Sequence, residues 1–475
     1  MPNPFKSVAA KILGGAIVLV ALLGVAGWRL MQPKIKIASV AEVRAVLPKE
    51  LLETLPPDPA ANERYKKLVD LISTVDQKEL GTFVDTKSIK QPVATIYASA
   101  RAFWAAHPSL CNDIMAILSA GPVQWKRAPN SNPINSGDDF KPLSKFKGFI
   151  KSVTTSARLY ADDKQFDTST KLYVMAITLS DRLIDDGGPL ICYLVGVALE
   201  AIVNKSLDEA MLGGGFSGAN CCQLLAAMGP SPRVDNYLAV ALRTDFQEFA
   251  LLLIPDPTKT LRDLLGNMTP ETSTTGSGDD EEAKKEEPIS GTYDAIETAK
   301  LYAKLCTAAM ANARSTFSKQ DKSVFDALDK DAKTLPIQAE SASKEGMEAT
   351  WNKWKYRFAM DNGHNTIGRI LASNGLVGSE AARASCRWRA LRDATRVALA
   401  SSLYRSSHGG KLPPAADGFL TYLGAWPQDP YNGNPMIYSA SNEVVYAVGE
   451  NLVDDGGTLS PEVNKSPDIG LSLKR

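Results

Sequence analysis

The sequence predicts a mainly α-helical chain with a single N-terminal transmembrane helix, an irregular domain of helical hairpins and a small C-terminal α+β module that includes a β-hairpin. Three observations lead there. An uncharged run, Ile12 to Trp28, is framed by Lys11 and Arg29. Apolar residues recur at helical spacing through much of residues 60–265. Beyond Gly410 the chain switches to short β-prone runs punctuated by Pro, Asn and Gly.

Bulk properties set the frame. A length of 475 residues allows two or three domains with cores of their own. Apolar residues make up 44% and charged residues 22%, an ordinary globular balance. Lys and Arg together number 53, as do Asp and Glu, so the formal charge is zero. That balance points away from nucleic acid as a partner. The six cysteines contain no C-x-x-C, and in apolar helical settings they read as small buried hydrophobes.

Residues 1–34 read as the membrane anchor. At about 1.5 Å per residue, Ile12–Trp28 and its flanks cross a hydrocarbon core of about 30 Å. Trp28 stands where an interfacial aromatic anchors the far side. A cleaved signal peptide is the competing reading, since Val25-Ala26-Gly27 offers small residues. Its apolar region would be long, however, and a bulky Trp28 would follow the cut. Lys6 and Lys11 precede the run while Arg29, Lys34 and Lys36 follow it, so positive-inside counting is close to even.

Residues 35–60, ending near Pro56-Pro57-Asp58-Pro59, read as a stem. Residues 61–268 form the helical domain. Within it, Ala157 to Asp163 and Lys171 to Ala176 read as a helical hairpin whose small and aromatic residues resemble a tetratricopeptide unit. Asp185-Asp186-Gly187-Gly188-Pro189 stops one helix and starts another, with Pro in the new first turn. The helix that follows, Leu190 to Val203, is apolar on nearly every side and should be buried.

Residues 269–290 form a disordered acidic linker, too polar to offset its ordering entropy. Residues 291–379 are a helical segment, with helices at Thr292–Ser315 and Trp351–Met360. Residues 380–475 open on the longest helix, Glu380 to about Arg405. Trp388, Leu391, Thr395 and Ala398 fall on one stripe of it. Its arginines, Arg383, Arg387, Arg389, Arg392, Arg396 and Arg405, read as a solvated face with local pairs such as Arg389–Asp393. Gly409-Gly410 then supplies a left-handed cap.

No catalytic motif emerges. His107, His364 and His408 sit in no metal-ligand spacing, and no phosphate-binding loop is present. Gly213-Gly214-Gly215-Phe216-Ser217-Gly218-Ala219 reads as a helix-to-helix turn rather than a nucleophile elbow. Asp185-Asp186 reads as helix-end polar groups rather than an acid–base pair.

The tail after Arg405 carries the most specific pattern. Asp429-Pro430-Tyr431-Asn432-Gly433-Asn434-Pro435 is a turn. Met436–Ala440 and Glu443–Val448 form a β-hairpin across Ser441-Asn442, and an acidic loop follows. This tail resembles the globular C-terminal part of the major pseudopilins of type II secretion systems. The family's loop holds calcium, which the resemblance places at Asn451, Asp454, Asp455 and Asp468. Calcium takes about six to eight oxygens. The alternative is an Asx-rich turn without metal, its side chains satisfying backbone amides. The family's aspartate is Asn451 here, its N-terminal processing motif is missing, and the tail lies far from the anchor rather than directly after it. We therefore expect a borrowed head and no pseudopilus assembly.

Taken together, these features predict an inner-membrane, single-pass protein with its bulk in the periplasm. Its role is structural or interaction-based, linked to secretion or pilus-like machinery, with the lipid bilayer and an envelope protein as partners. An enzyme of hydrolase class, its site built from scattered residues of the helical domain, is the alternative.

Overall fold

The computed structural model describes residues 35–53, 58–75, 93–125, 141–233, 235–253, 292–334, 363–369, 378–460 and 467–474. The anchor at Ile12–Trp28, the acidic linker and the Trp351–Met360 helix lie outside them. The described chain is mainly helical with two small sheets. In order it runs β1 (Ile35–Lys36), α1 (Val40–Val46), α2 (Lys49–Leu52), α3 (Pro59–Ser73), α4 (Val93–Ala106) and α5 (Leu110–Ser119). There follow α6 (Lys141–Asp162), α7 (Phe166–Ile184), α8 (Leu190–Leu212), α9 (Gly218–Met228) and α10 (Asn236–Leu253). The remainder is β2 (Tyr293–Asp294), α11 (Ala295–Ala313), α12 (Ser323–Thr334), α13 (Gly378–Ser407), α14 (Leu420–Leu423), β3 (Ile437–Ser439), β4 (Val444–Ala447) and β5 (Ile469–Ser472).

Two compact units emerge. Of the described residues, one takes 35–52, 249–253, 292–305, 323–334 and 363–369, and the other takes those between 53 and 248, 306–322 and those from 378 onward.

In the first unit β1 and β2 pair in parallel, with Lys36 Nζ 3.4 Å from Asp294. Thr292 and Thr366 tie two stretches of chain together: each donates its backbone N–H to the other's hydroxyl, at 2.9 and 3.1 Å. Residues 35–52 of the stretch read as a stem belong to this unit. Ser39 and Glu42 form a capping box at the start of α1, and Val43 and Leu51 are buried. The Ser-x-x-Glu spacing was a helix-start signal in plain sight.

In the second unit α6, α7 and α8 pack pairwise, α3 and α5 flank them, and α8 and α9 lie against α13. Buried Phe146, Phe149, Val153, Tyr173, Leu199 and Val203 fill the centre. Among the described residues, α8 is the one helix long and apolar enough to cross a membrane. Cys192, Tyr193, Leu199, Val203 and Leu207 of α8 are nonetheless buried in the core, as its all-round apolarity implied. Gly196 lets it approach α7 closely, because a Cβ there would come within 2.8 Å of the Ile184 backbone nitrogen.

The connections follow local chemistry. Pro189 occupies the N-cap of α8, one position earlier than its expected place in the first turn, with φ −65° and ψ 164°. Between α8 and α9 the glycine-rich stretch is a helix-to-helix turn, with Ser217 and Asn220 forming a capping box. The second sheet is antiparallel in the order β3-β4-β5, pairing Ile437 with Tyr446 and Ala447 with Ile469. Val445 and Ala447 are fully buried.

Asp186, in the turn before α8, is 4% exposed. Burial lifts its carboxyl to about 7, against the pull of the Gly188 amide that donates to Oδ1 at 2.6 Å. The Trp125 backbone amide pulls the same way as Gly188, and the neighbouring Asp185 carboxylate adds to the rise. The folded value lies above the ordinary 3.8, so the contribution to stability is complete below that ordinary value and is lost as pH rises through about 7. Asp186→Asn, which keeps the acceptor and cannot ionise, should match the wild type at pH 4. At pH 8 it should be more stable by on the order of 3 kcal/mol, as read from unfolding at the two pH values.

Candidate functional site

The C-terminal module is built on α13, and α13 is where the sequence reading needs its main correction. Arg389, Arg392 and Arg396 do not line a solvated face; they are 2%, 5% and 5% exposed. Nor does Asp393 pair with Arg389. It accepts from Ser231 and from Arg396 Nη1 at 3.4 Å. Helical body packs on one side of α13 and the small sheet on another, so the helix is buried on several faces. Charged groups in that position need partners, and they find them far away in sequence.

Arg392 is the centre. Its guanidinium grips Asp181 of α7 through two bonds, at 2.7 and 3.0 Å, and reaches Glu200 of α8 at 2.7 Å. Its Nε donates to the Gly229 carbonyl at 3.2 Å, and Nη2 also donates to that of Met228. Glu200 is fully buried and takes a second donor, the Trp388 indole N–H. Burial lifts the Glu200 carboxyl to about 6, with Arg392 pulling the other way. Burial alone would lower Arg392, but the two carboxylates outweigh it and hold the guanidinium charged.

A second carboxylate fastens the N-terminal half of α13. Asp235, fully buried just before α10, accepts from the hydroxyls of Tyr193 and Ser385 through Oδ2 and from the Leu238 amide through Oδ1. Among the described residues Arg389 has no carboxylate partner. It donates to the Arg233 carbonyl at 2.9 Å and to Cys386 Sγ at 3.2 Å.

Beyond α13 the chain turns through Gly409 and Gly410, at φ of 62° and 81°, with the Gly410 amide donating to the Arg405 carbonyl at 2.9 Å. The turn from Asp429 to Pro435 is organised by Asp429, 1% exposed. Its Oδ1 accepts from the Tyr431 amide at 2.7 Å and its Oδ2 from the Val448 amide at 2.8 Å, tying the turn to the end of β4. Burial raises its carboxyl while those amides oppose the rise. Tyr431 packs edge-on against Phe317, and the amides of Phe317 and Ser318 donate to the carbonyls of Pro430 and Tyr431.

The residues that the pseudopilin resemblance assigns to calcium share one loop. Asn451 Nδ2 donates to Asp455 Oδ2 at 2.7 Å. Asp454 Oδ1 accepts from the Tyr446 hydroxyl at 2.8 Å and the Gly456 amide at 2.9 Å. Asp468, fully buried, takes the Gly457 and Thr458 amides on Oδ2, at 2.9 and 3.2 Å, and the Asp455 amide on Oδ1 at 3.5 Å. Gly449, at φ 68°, lets the loop pass the Pro467 carbonyl, where a Cβ would lie 2.0 Å from the oxygen. Oxygens that calcium would need thus already accept N–H and O–H donors. Among the described residues no three His, Cys, Asp or Glu side chains are placed to hold one metal ion. In this arrangement the side chains of the four residues satisfy backbone amides, the Tyr446 hydroxyl and one another, as an Asx-rich turn does.

Two substitutions separate these roles. Arg392→Met strands Asp181 and Glu200 as buried unpaired carboxylates and should cost about 3–5 kcal/mol, with part recovered on adding Glu200→Gln, as denaturant unfolding would show. Asp468→Ala leaves the Gly457 and Thr458 amides without their acceptor. It should cost about 1–3 kcal/mol and speed proteolytic cleavage within residues 450–458, as a timed digest would show.

Comparison with protein-family models, with curated proteins and with solved structures finds no match to this chain.

Proposed function

We propose that this chain is an envelope protein. The Ile12–Trp28 segment tethers it to the inner membrane, the helical body lies in the periplasm, and the C-terminal module serves a structural or interaction role linked to secretion or pilus-like machinery. One observation carries the reading: a thirty-residue helix, α13, leads through a glycine cap into a small antiparallel sheet whose Asp429 turn is locked to β4. That order of parts supports the likeness to a pseudopilin head. The burial of Val397, Ala398 and Leu399 against the protein's own helices also leaves α13 without a free apolar face for filament packing. The head on this reading is fixed to its own helical body and engages an envelope partner through its outer surface.

The test is topological. An alkaline-phosphatase fusion to the C-terminus should be active, and the full chain should stay with the membrane pellet after a carbonate wash. A variant lacking residues 1–34 should move to the soluble fraction. An inactive fusion, or full chain released by carbonate, would overturn the proposal.

A further inference from the structure

Residues 230–233, α13 and the stretch from Leu423 to Gly433 line a partly open cavity of about 340 Å³, within a single compact unit. That size suits a small molecule. Arg389, Asp393 and Arg396 line it from the helix side, while Leu423, Trp426 and Pro427 line it from the module.

Arg396 is the group that needs explaining. The residue is 5% exposed, yet among the described residues its guanidinium makes one hydrogen bond, the 3.4 Å contact from Nη1 to Asp393. Its Nε has no acceptor. Asp393 is its one counter-charge among the described residues, at 3.4 Å, and also accepts from Ser231 through the amide, at 3.2 Å, and the hydroxyl. Arg389, on the same wall, meets carbonyls and a sulfur but no carboxylate, and its Nε also lacks an acceptor. Arg392, three residues away, shows how this fold satisfies a buried guanidinium, with two carboxylates and two carbonyls. Arg389 and Arg396 receive far less, and under-partnered buried charge is costly.

The charge count narrows the ligand. Arg233, Arg389 and Arg396 face Asp393 and Asp429 around the cavity, which leaves one positive charge in excess. Both Asp429 oxygens are committed to backbone amides. A monoanion balances that excess, whereas a dianion would leave the lining with a net negative charge. The apolar wall of Leu423, Trp426 and Pro427 asks for an apolar body on the same molecule.

We propose that this cavity binds a small organic monoanion, a single carboxylate held by Arg396 with its apolar body against Leu423 and Trp426. A planar fork meeting a carboxylate is the geometry for which arginine is suited. The site is independent of the envelope reading and stands or falls without it.

The experiment titrates the full-length chain in detergent with sodium benzoate, its uncharged isostere benzamide and inorganic phosphate, followed by calorimetry and saturation-transfer NMR. Benzoate should bind saturably and at least tenfold more tightly than benzamide, and phosphate should not displace it at equal concentration. Arg396→Gln should lose at least tenfold in benzoate affinity with an unchanged circular dichroism spectrum, and Arg396→Lys should retain part of it. The proposal is overturned if benzoate fails to saturate, if benzoate and benzamide bind alike, if phosphate competes equally, or if a folded Arg396→Gln binds as the wild type does. The acid–amide comparison is made on unaltered protein, so it decides the matter even where a variant does not fold.

Discussion

The guanidinium of Arg392 joins three helices through one set of buried charges. It ties α13 to α7 through Asp181 and to α8 through Glu200, and its bonds to the Met228 and Gly229 carbonyls anchor the end of α9. Isolated burial of any of these charges would be prohibitive, and their mutual attraction in a poorly screened interior offsets that cost only when all are present. The arrangement is therefore all-or-none. Trp388 extends it by donating to Glu200 and standing edge-on to Tyr193, whose hydroxyl belongs to the neighbouring Asp235 cluster. The whole of α13, and through it the small sheet, takes its position from these two carboxylate-centred knots.

How much of this could be read beforehand depends on the distance over which each feature is determined. The burial of α8 was legible because apolar residues surround it on every side, a property of its own sequence. The helix-to-helix turn before α9 was legible too, since Ser217 and Asn220 satisfy each other three residues apart. The Asp429 turn was readable for a similar reason: Tyr431, Gly433 and Asn434 supply most of its bonds. Its tie to Val448, nineteen residues on, was not.

The arginines of α13 mark the opposite case. Their periodicity sends them toward water, and nothing near them in sequence says otherwise. Asp181 and Glu200 stand 211 and 192 residues upstream of Arg392, beyond any pattern that spacing reveals. The acidic loop shows a different limit. The positions of Asp454, Asp455 and Asp468 were plain, but which donors their oxygens would meet depended on how the backbone of residues 455–458 folds back onto Asp468. The capping box at the start of α1 lies within reach of a spacing pattern, since Ser39 and Glu42 satisfy each other three residues apart.

The long reach between Glu200 and Arg392 also sets a timetable for biosynthesis. A ribosome adding ~5–20 residues per second needs about 10–40 s to deliver Arg392 after Glu200. During that interval α7 and α8 exist without the cation that makes their interior habitable for two carboxylates. The nascent body must stay loose and hydrated there, or hold its acids protonated. Final closure waits for β5 as well, since Leu473 just beyond it is itself buried in the core. A chain arrested or trimmed short of its last strand would thus present a cell's quality-control proteases with an open helical bundle rather than a smaller finished domain.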